Sequence, residues 1–131
     1  MSVADALGGL TSISLWTSAE AYPTMRAFYV ETLGLRPDTD RAGRVRFSFG
    51  TPPQEVRLIL SVHDGVRGRS TEPERVMFNF LVPDIQATVA RLTAAGVAFR
   101  RLPAQEEWGG WVATFQDPDG NTLQLMQAAE G

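Results

Sequence analysis

Trp108-Gly109-Gly110-Trp111-Val112-Ala113-Thr114-Phe115-Gln116-Asp117-Pro118-Asp119-Gly120-Asn121-Thr122-Leu123-Gln124-Leu125-Met126 is the stretch from which the rest of the fold can be read. Two alternating apolar runs flank Asp117-Pro118-Asp119-Gly120-Asn121. Within that pentapeptide Pro118 pre-sets φ, Asp117 can accept bonds from its own downstream backbone, and Gly120 tolerates a left-handed conformation. The pattern predicts a β-hairpin with strands over 111–116 and 122–127. In the second strand Leu123 and Leu125 point one way, and Thr122, Gln124 and Met126 the other. Asp117 and Asp119 belong to the turn, not to catalysis.

Working outward, the hairpin is preceded by a strand over 97–102, a helix over 85–95 capped by Asp84 and stopped by Gly96, and a strand over 76–82. The first half shows the same order. A strand over 11–17 leads to Pro23 as the first helical residue and a helix over 24–33, in which Met25, Phe28, Tyr29 and Leu33 recur at helical spacing. Gly34 ends that helix, and strands over 35–39, 44–49 and 56–62 follow. The polar run from His63 to Glu74, with Gly65, Gly68 and Pro73, separates the halves. The reading is an α+β chain organised as one domain over 1–131. A βαβββ module spans 11–63, a linker 64–75, and a second copy of the same unit 76–128. Residues 1–10 read as a loose lead-in, a helical turn or an arm.

Composition narrows the chemistry. A chain of 131 residues can bury about two-thirds of its unfolded surface without a staple. With no cysteine, disulfides, thiolate metal sites and cysteine nucleophiles are excluded. The net charge is −3, and the 12 basic residues, all arginine, are scattered, so nucleic acid and anionic membranes are not expected partners. No apolar run is long enough to span a bilayer, and no basic-then-apolar leader opens the chain; a cytoplasmic protein is expected. No nucleophile elbow, phosphate-cradling loop or zinc motif is present.

Three segments, in this order and spacing, resemble the vicinal oxygen chelate superfamily of glyoxalase I, bleomycin-resistance proteins and extradiol dioxygenases. They are Arg26-Ala27-Phe28-Tyr29 with Leu33-Gly34-Leu35; Phe80, Val82 and Asp84 with Ala90-Arg91-Leu92 and Ala95-Gly96-Val97; and Trp108-Gly109-Gly110 leading to Asp117-Pro118-Asp119-Gly120-Asn121. The resemblance implies two βαβββ modules curling a mixed sheet around a cavity, and a homodimer. In metal-using relatives one residue on the first and one on the last strand of each module hold a divalent ion. Carried over, those seats are Ser12, Ile59, Met77 and Gln124, and only Gln124 is a plausible ligand. Counting agrees: zinc and non-haem iron sites normally need imidazole or thiolate ligands, and the chain has one His and no Cys. No carboxylate falls in the middle of a predicted strand. No metal or other cofactor is expected.

By alternation the cavity face carries Ser12, Ser14 and Trp16, then Arg44, Arg46 and Ser48, then Arg57, Ile59 and Ser61. In the second half it carries Met77, Asn79 and Leu81, then Trp111, Ala113, Phe115, Thr122, Gln124 and Met126. This face has no acids. Trp16 and Trp111 offer flat surfaces for aromatic or cationic ligands or fill a dimer interface. Asn79 and Gln124 both donate and accept. Arg46 and Arg57 either meet a ligand carboxylate or are solvated edge arginines. Trp108-Gly109-Gly110 is either a flexible rim or a tight connection in which glycine lets two backbones approach. His63 is either a general base at a cavity mouth or an exposed loop residue. The expected function is metal-independent binding of a hydrophobic or aromatic small molecule, as in bleomycin-resistance-type sequestration. The alternatives are a divergent metal-dependent lyase, isomerase or dioxygenase, a cofactor-free enzyme using His63 or an arginine, and an accessory protein with a filled pocket.

Overall fold

A computed structural model describes residues 7–130. The expected lead-in falls outside the described residues as far as residue 6. The chain forms two compact units that divide between Arg67 and Gly68. Each is a four-stranded mixed sheet with helical segments on one face, built in the order strand, helix, three strands.

In the first unit β1 (Ser12–Thr17) leads into α1 (Tyr22–Ala27), which continues as a π-helical segment over Phe28–Thr32. The strands β2 (Thr39–Arg41), β3 (Arg44–Phe49) and β4 (Val56–Val62) follow. The sheet order is β1-β4-β3-β2, with β1 parallel to β4 and the other pairs antiparallel. Parallel neighbours need a crossover, and α1 supplies it. Met25 and Tyr29 on the helical segment, Leu15 on β1, Val45 and Phe47 on β3, and Leu58 and Leu60 on β4 are buried together as one core.

The second unit repeats the plan with β5 (Met77–Leu81), α2 (Ile85–Ala94), β6 (Arg101–Gln105), β7 (Trp111–Gln116) and β8 (Thr122–Gln127), in the order β5-β8-β7-β6. Asp84 caps α2 by accepting from the Ala87 N–H at 3.1 Å. Gln127 at the end of β8 accepts from the Ile85 N–H at 2.8 Å and ties the same helix end to the sheet. Ile85, Val89 and Leu92 bury one face of α2 in a core that also holds Ala113 and Phe115 of β7 and Leu123 and Leu125 of β8. Of the predicted linker, Arg69 and Ser70 are tied to the second unit: Arg69 Nη1 donates to the Pro118 carbonyl and the Ser70 N–H to that of Asp119, both at 2.8 Å.

Two expected strands start later than their sequence suggests, for one shared reason. After α2, the Val97 N–H donates to the Leu92 carbonyl and the Gly96 N–H to that of Thr93, both at 3.0 Å, with Gly96 at φ +97°. That is a Schellman closure, in which the residue after glycine is the apolar anchor and not the start of a strand. Val97 is accordingly buried, and β6 begins at Arg101 instead of 97. In the first unit Gly34 lies at φ +80° and the Leu35 N–H reaches back to the Tyr29 carbonyl at 3.1 Å; β2 begins at Thr39 instead of 35. The extra residue in that loop comes from the π-turn, where the Leu33 N–H bonds the Phe28 carbonyl at 2.8 Å. Asp40 consequently sits mid-strand in β2, where no carboxylate was expected.

Candidate functional site

The first unit presents a polar sheet face opposite its core. Alternation along β1, β4 and β3 directs Leu15, Thr17, Leu58, Leu60, Val45 and Phe47 inward. Ser12, Ser14 and Trp16, Arg57, Ile59 and Ser61, and Arg44, Arg46 and Ser48 therefore share the other face. The pairing arranges them in rows: Trp16–Ser61–Arg44, Ser14–Ile59–Arg46 and Ser12–Arg57–Ser48. Ile59 is the centre of the grid. Trp16 is 45% exposed, and the His63 ring meets it edge-on at 5.1 Å. His63 is itself exposed, and its Nδ1 accepts from the Gly65 N–H at 2.9 Å, so the neutral ring carries its proton on Nε2.

This face is not free of acid, contrary to expectation. Asp38, just ahead of β2, accepts from Arg46 Nε at 2.7 Å and from the Ser48 hydroxyl. Those two donors hold its carboxyl below the usual value, the serine contributing most. Arg46 is thus already partnered. Arg57 is held more loosely, its Nη2 3.6 Å from Glu55, and its buried Nε has no hydrogen-bond partner. On the helix side of the sheet Asp40 pairs with Arg26 of α1, which lowers the Asp40 carboxyl and raises the Arg26 guanidinium. Tyr22 lies nearby with its hydroxyl buried and unpartnered, and burial pushes its phenol up.

In the second unit the face carrying Gln124 differs from the expected one. Gln116 pairs with Thr122, Thr114 with Gln124 and Val112 with Met126. Even-numbered residues therefore oppose even-numbered ones, and directly paired residues share a face. Trp111, Ala113 and Phe115 consequently lie on the helix side with Leu123 and Leu125, and Ala113 and Phe115 are fully buried there. The error was one of register across a five-residue turn, and a one-residue slip exchanges faces. Gln124 instead stands in the row Asn79–Gln124–Thr114 and donates through Nε2 to Thr114 Oγ1 at 3.1 Å. Met77 pairs with Thr122, whose buried hydroxyl has no partner, and Leu81 with Met126. Asn79 is exposed.

Trp108-Gly109-Gly110 is a closed connection. The Gly109 N–H bonds the Glu106 carbonyl at 2.9 Å, and the Glu106 N–H bonds that of Gly110 at 2.8 Å. The Trp108 ring folds back over Gly110 so closely that a Cβ there would fall 1.7 Å from the indole. Asp117 performs the turn role expected of it. Its Oδ1 accepts from the Asp119 and Asn121 N–H groups at 3.0 Å, and its Oδ2 from Asn121 Nδ2 at 2.9 Å.

The four seats that hold a divalent ion in metal-using relatives are chemically poor in this chain. Ser12 offers a neutral hydroxyl, Ile59 nothing, Met77 a soft thioether and Gln124 one amide oxygen. Hard divalent ions take carboxylates, carbonyls and water, and zinc takes imidazole, thiolate or carboxylate. In neither unit do these side chains suit a divalent ion. Among the described residues no three His, Asp or Glu side chains gather into a group that could hold one.

Comparison with known proteins places this geometry. The profile of the Glyoxalase/Bleomycin resistance protein/Dioxygenase superfamily matches residues 18–125. No curated protein matches the chain in sequence. Among solved structures it is similar to TnmS3, an antibiotic binding protein from Streptomyces sp. CB03234, at 26% identity and a TM-score of 0.68, covering 92% of this chain and 96% of that one. It is also similar to lactoylglutathione lyase from Agrobacterium tumefaciens, at 17% identity and a TM-score of 0.69, covering 92% and 93%. A third is a glyoxalase/bleomycin resistance protein/dioxygenase from Nocardioides, at 24% identity and a TM-score of 0.66, covering 94% and 85%. The last two likenesses are of fold alone. With the profile spanning most of the sequence and the two-module topology reproduced, the chain belongs to the glyoxalase/bleomycin resistance protein/dioxygenase superfamily.

Proposed function

We propose that this protein binds a hydrophobic or aromatic small molecule without a metal ion, as a sequestering protein and not a lyase or dioxygenase. The observation that carries the reading is the donor set at Ser12, Ile59, Met77 and Gln124. It has no imidazole, no thiolate and no carboxylate. A binder needs none of those ligands. It needs an apolar or aromatic surface with a few oriented polar groups. Within the first unit alone Trp16 and Ile59 provide such a surface, with Ser14 and Ser61 as polar neighbours on the same face. Likeness to an antibiotic-binding protein at 26% identity supports the same reading. No cofactor is required. A homodimer accompanies the proposal, because β1 and β5 are edge strands of their sheets and exposed edges are usually covered.

The test is a thermal-shift screen of aromatic metabolites and antibiotics, run with chelator and again with added divalent ions. A ligand that binds only the native state raises the melting temperature with its concentration. The expected outcome is a saturable shift from an aromatic compound that persists in chelator. Saturable shifts only with a divalent ion present would overturn the proposal and favour the metal-dependent alternative.

A further inference from the structure

The row that begins at Trp16 continues one strand further than the site described so far. Trp16 pairs with Ser61, Ser61 with Arg44, and Arg44 with Arg41 of β2. Directly paired residues share a face, so an exposed indole, a small hydroxyl and two guanidinium groups lie in one line across the sheet. Like charges placed directly opposite each other destabilise a strand pair unless something neutralises them. Elsewhere on this face the arginines have carboxylates: Arg46 has Asp38, and Arg57 has Glu55. Among the described residues Arg41 and Arg44 have none within ion-pair distance. The chain is net negative, so this local excess of cation is not a by-product of overall charge.

We infer that this row binds an aromatic small molecule bearing a carboxylate or another oxyanion, with the ring against Trp16 and the anion between Arg44 and Arg41. Strands lie about 4.8 Å apart, so the Cα atoms of Trp16 and Arg44 are about 10 Å apart, a gap that an arginine side chain and a fused-ring acid together close. Ser61 between them is small enough to leave that line open. The His63 ring edge braces the indole from the end of β4. Guanidinium groups suit the anion because they present paired donors in a plane. A cationic aromatic would meet repulsion at the same place. This inference rests on the binding function proposed above and names the class of ligand that the first unit takes.

The experiment titrates three probes that share one ring system, 2-naphthoate, 2-naphthalenemethanol and 2-naphthylmethylamine, in chelator, by calorimetry or tryptophan fluorescence. The acid is expected to bind about tenfold tighter than the alcohol, and the amine more weakly than either. High salt should shrink that preference. Arg44→Gln and Arg41→Gln should each cut the acid-to-alcohol ratio, Arg44→Lys should keep part of it, and Trp16→Leu should weaken acid and alcohol alike. Urea midpoints of the variants establish that each is folded. Equal affinity for acid and alcohol, a ratio unchanged in both glutamine variants, or no binding of any probe overturns the inference. If the alcohol binds without acid preference, the anion assignment fails and the small-molecule reading stands. If the probes bind only when a divalent ion replaces the chelator, the metal-independent reading itself fails.

Discussion

Across the first sheet one row reads Ser14, Ile59, Arg46, Thr39; across the second the equivalent row reads Asn79, Gln124, Thr114, Arg101. Strand order and the sense of each pairing match, yet the chemistry does not. The first face is aromatic and cationic, with Trp16 and three β3–β4 arginines around Ile59. The second has an amide bonded to a hydroxyl at its centre, and its arginine, Arg101, stands at the sheet edge paired with Glu106. Burial on the helix side leaves a sheet little latitude in sequence, whereas the opposite face is constrained only by what it must meet. Two copies of one supersecondary unit can therefore keep a common core and divide stacking, charge and neutral hydrogen bonding between them.

The hairpins that close the two sheets offer the sharpest way to break this comparison. In the second unit the β7–β8 turn is built on the buried Asp117 carboxylate, which accepts three hydrogen bonds. The corresponding β3–β4 loop over 50–55 is exposed and closed by a backbone bond, the Gln54 N–H donating to the Thr51 carbonyl at 2.8 Å. Asp117→Ala strands a buried and a half-buried N–H group and is expected to cost about 3 kcal/mol, with Asp117→Asn costing less because one oxygen remains. Gln54→Ala should stay within about 0.5 kcal/mol, since it removes no such partner. Urea midpoints at unchanged m-value measure both. Equal losses at the two sites would show that the hairpins are held in the same way after all.

A smaller effect is expected where the second unit has a feature the first lacks. Gly110→Ala forces the Trp108 ring off the backbone and should cost about 1–2 kcal/mol. Trp108 is 56% exposed, so the ring can swing into solvent and the loss stays moderate. In the background of Trp108→Ala the same change should be nearly free, leaving only the strain of a new Cβ. Non-additivity of that size, read in a double-mutant cycle, is the signature of direct contact. Additive losses would mean that Gly110 is needed for its backbone alone.

Much of this was legible in the chain. Asp84 as a cap, Gly34 and Gly96 as helix stops, and Asp117 as the turn carboxylate follow from single-residue chemistry, and the structure uses each in that role. What escaped is what depends on register. The run from 111 to 116 alternates equally well in either phase, because Trp111, Ala113 and Phe115 are as apolar as a cavity wall or as a core. Only the Gln116–Thr122 pairing across the turn decides between them. The short edge strands β2 and β6 were misplaced because Leu35 and Val97 look like strand residues while serving as helix anchors. β6 also carries Pro103 and a register shift between Arg101 and Ala104, both edge-strand features that blur alternation. In the first unit alternation puts Trp16 and Ile59 on the sheet face opposite the core, as the pairing has them. The Asp38 partnership of Arg46 was missed, because a loop residue ahead of β2 gives no sign of which face it will reach.

That partnership sets the smallest and most specific effect, a dependence on pH carried by the Asp38 cluster of the first unit. Asp38 and Asp40 both lie below their ordinary value of 3.8, Asp38 through Ser48 and Arg46 and Asp40 through Arg26. A carboxyl depressed in the folded state contributes stability that is fully present above its unfolded value and is lost as pH falls through the folded value. The contribution should thus be constant from neutrality down to about pH 5 and decline below about pH 4. Both groups are solvent-exposed, so screening keeps the effect small and salt should diminish it further. Asp38→Asn removes the part carried by Arg46 and Ser48, so urea midpoints of variant and parent should differ slightly at pH 7 and approach each other as the pH falls below 3.8. Arg44→Gln is the matched control, because among the described residues that arginine has no carboxylate to lose, and its midpoint should follow the parent's acid profile. An Asp38→Asn profile parallel to the parent's at every pH would show that Asp38 is held by geometry alone, and that the acid on this face is no part of its charge balance.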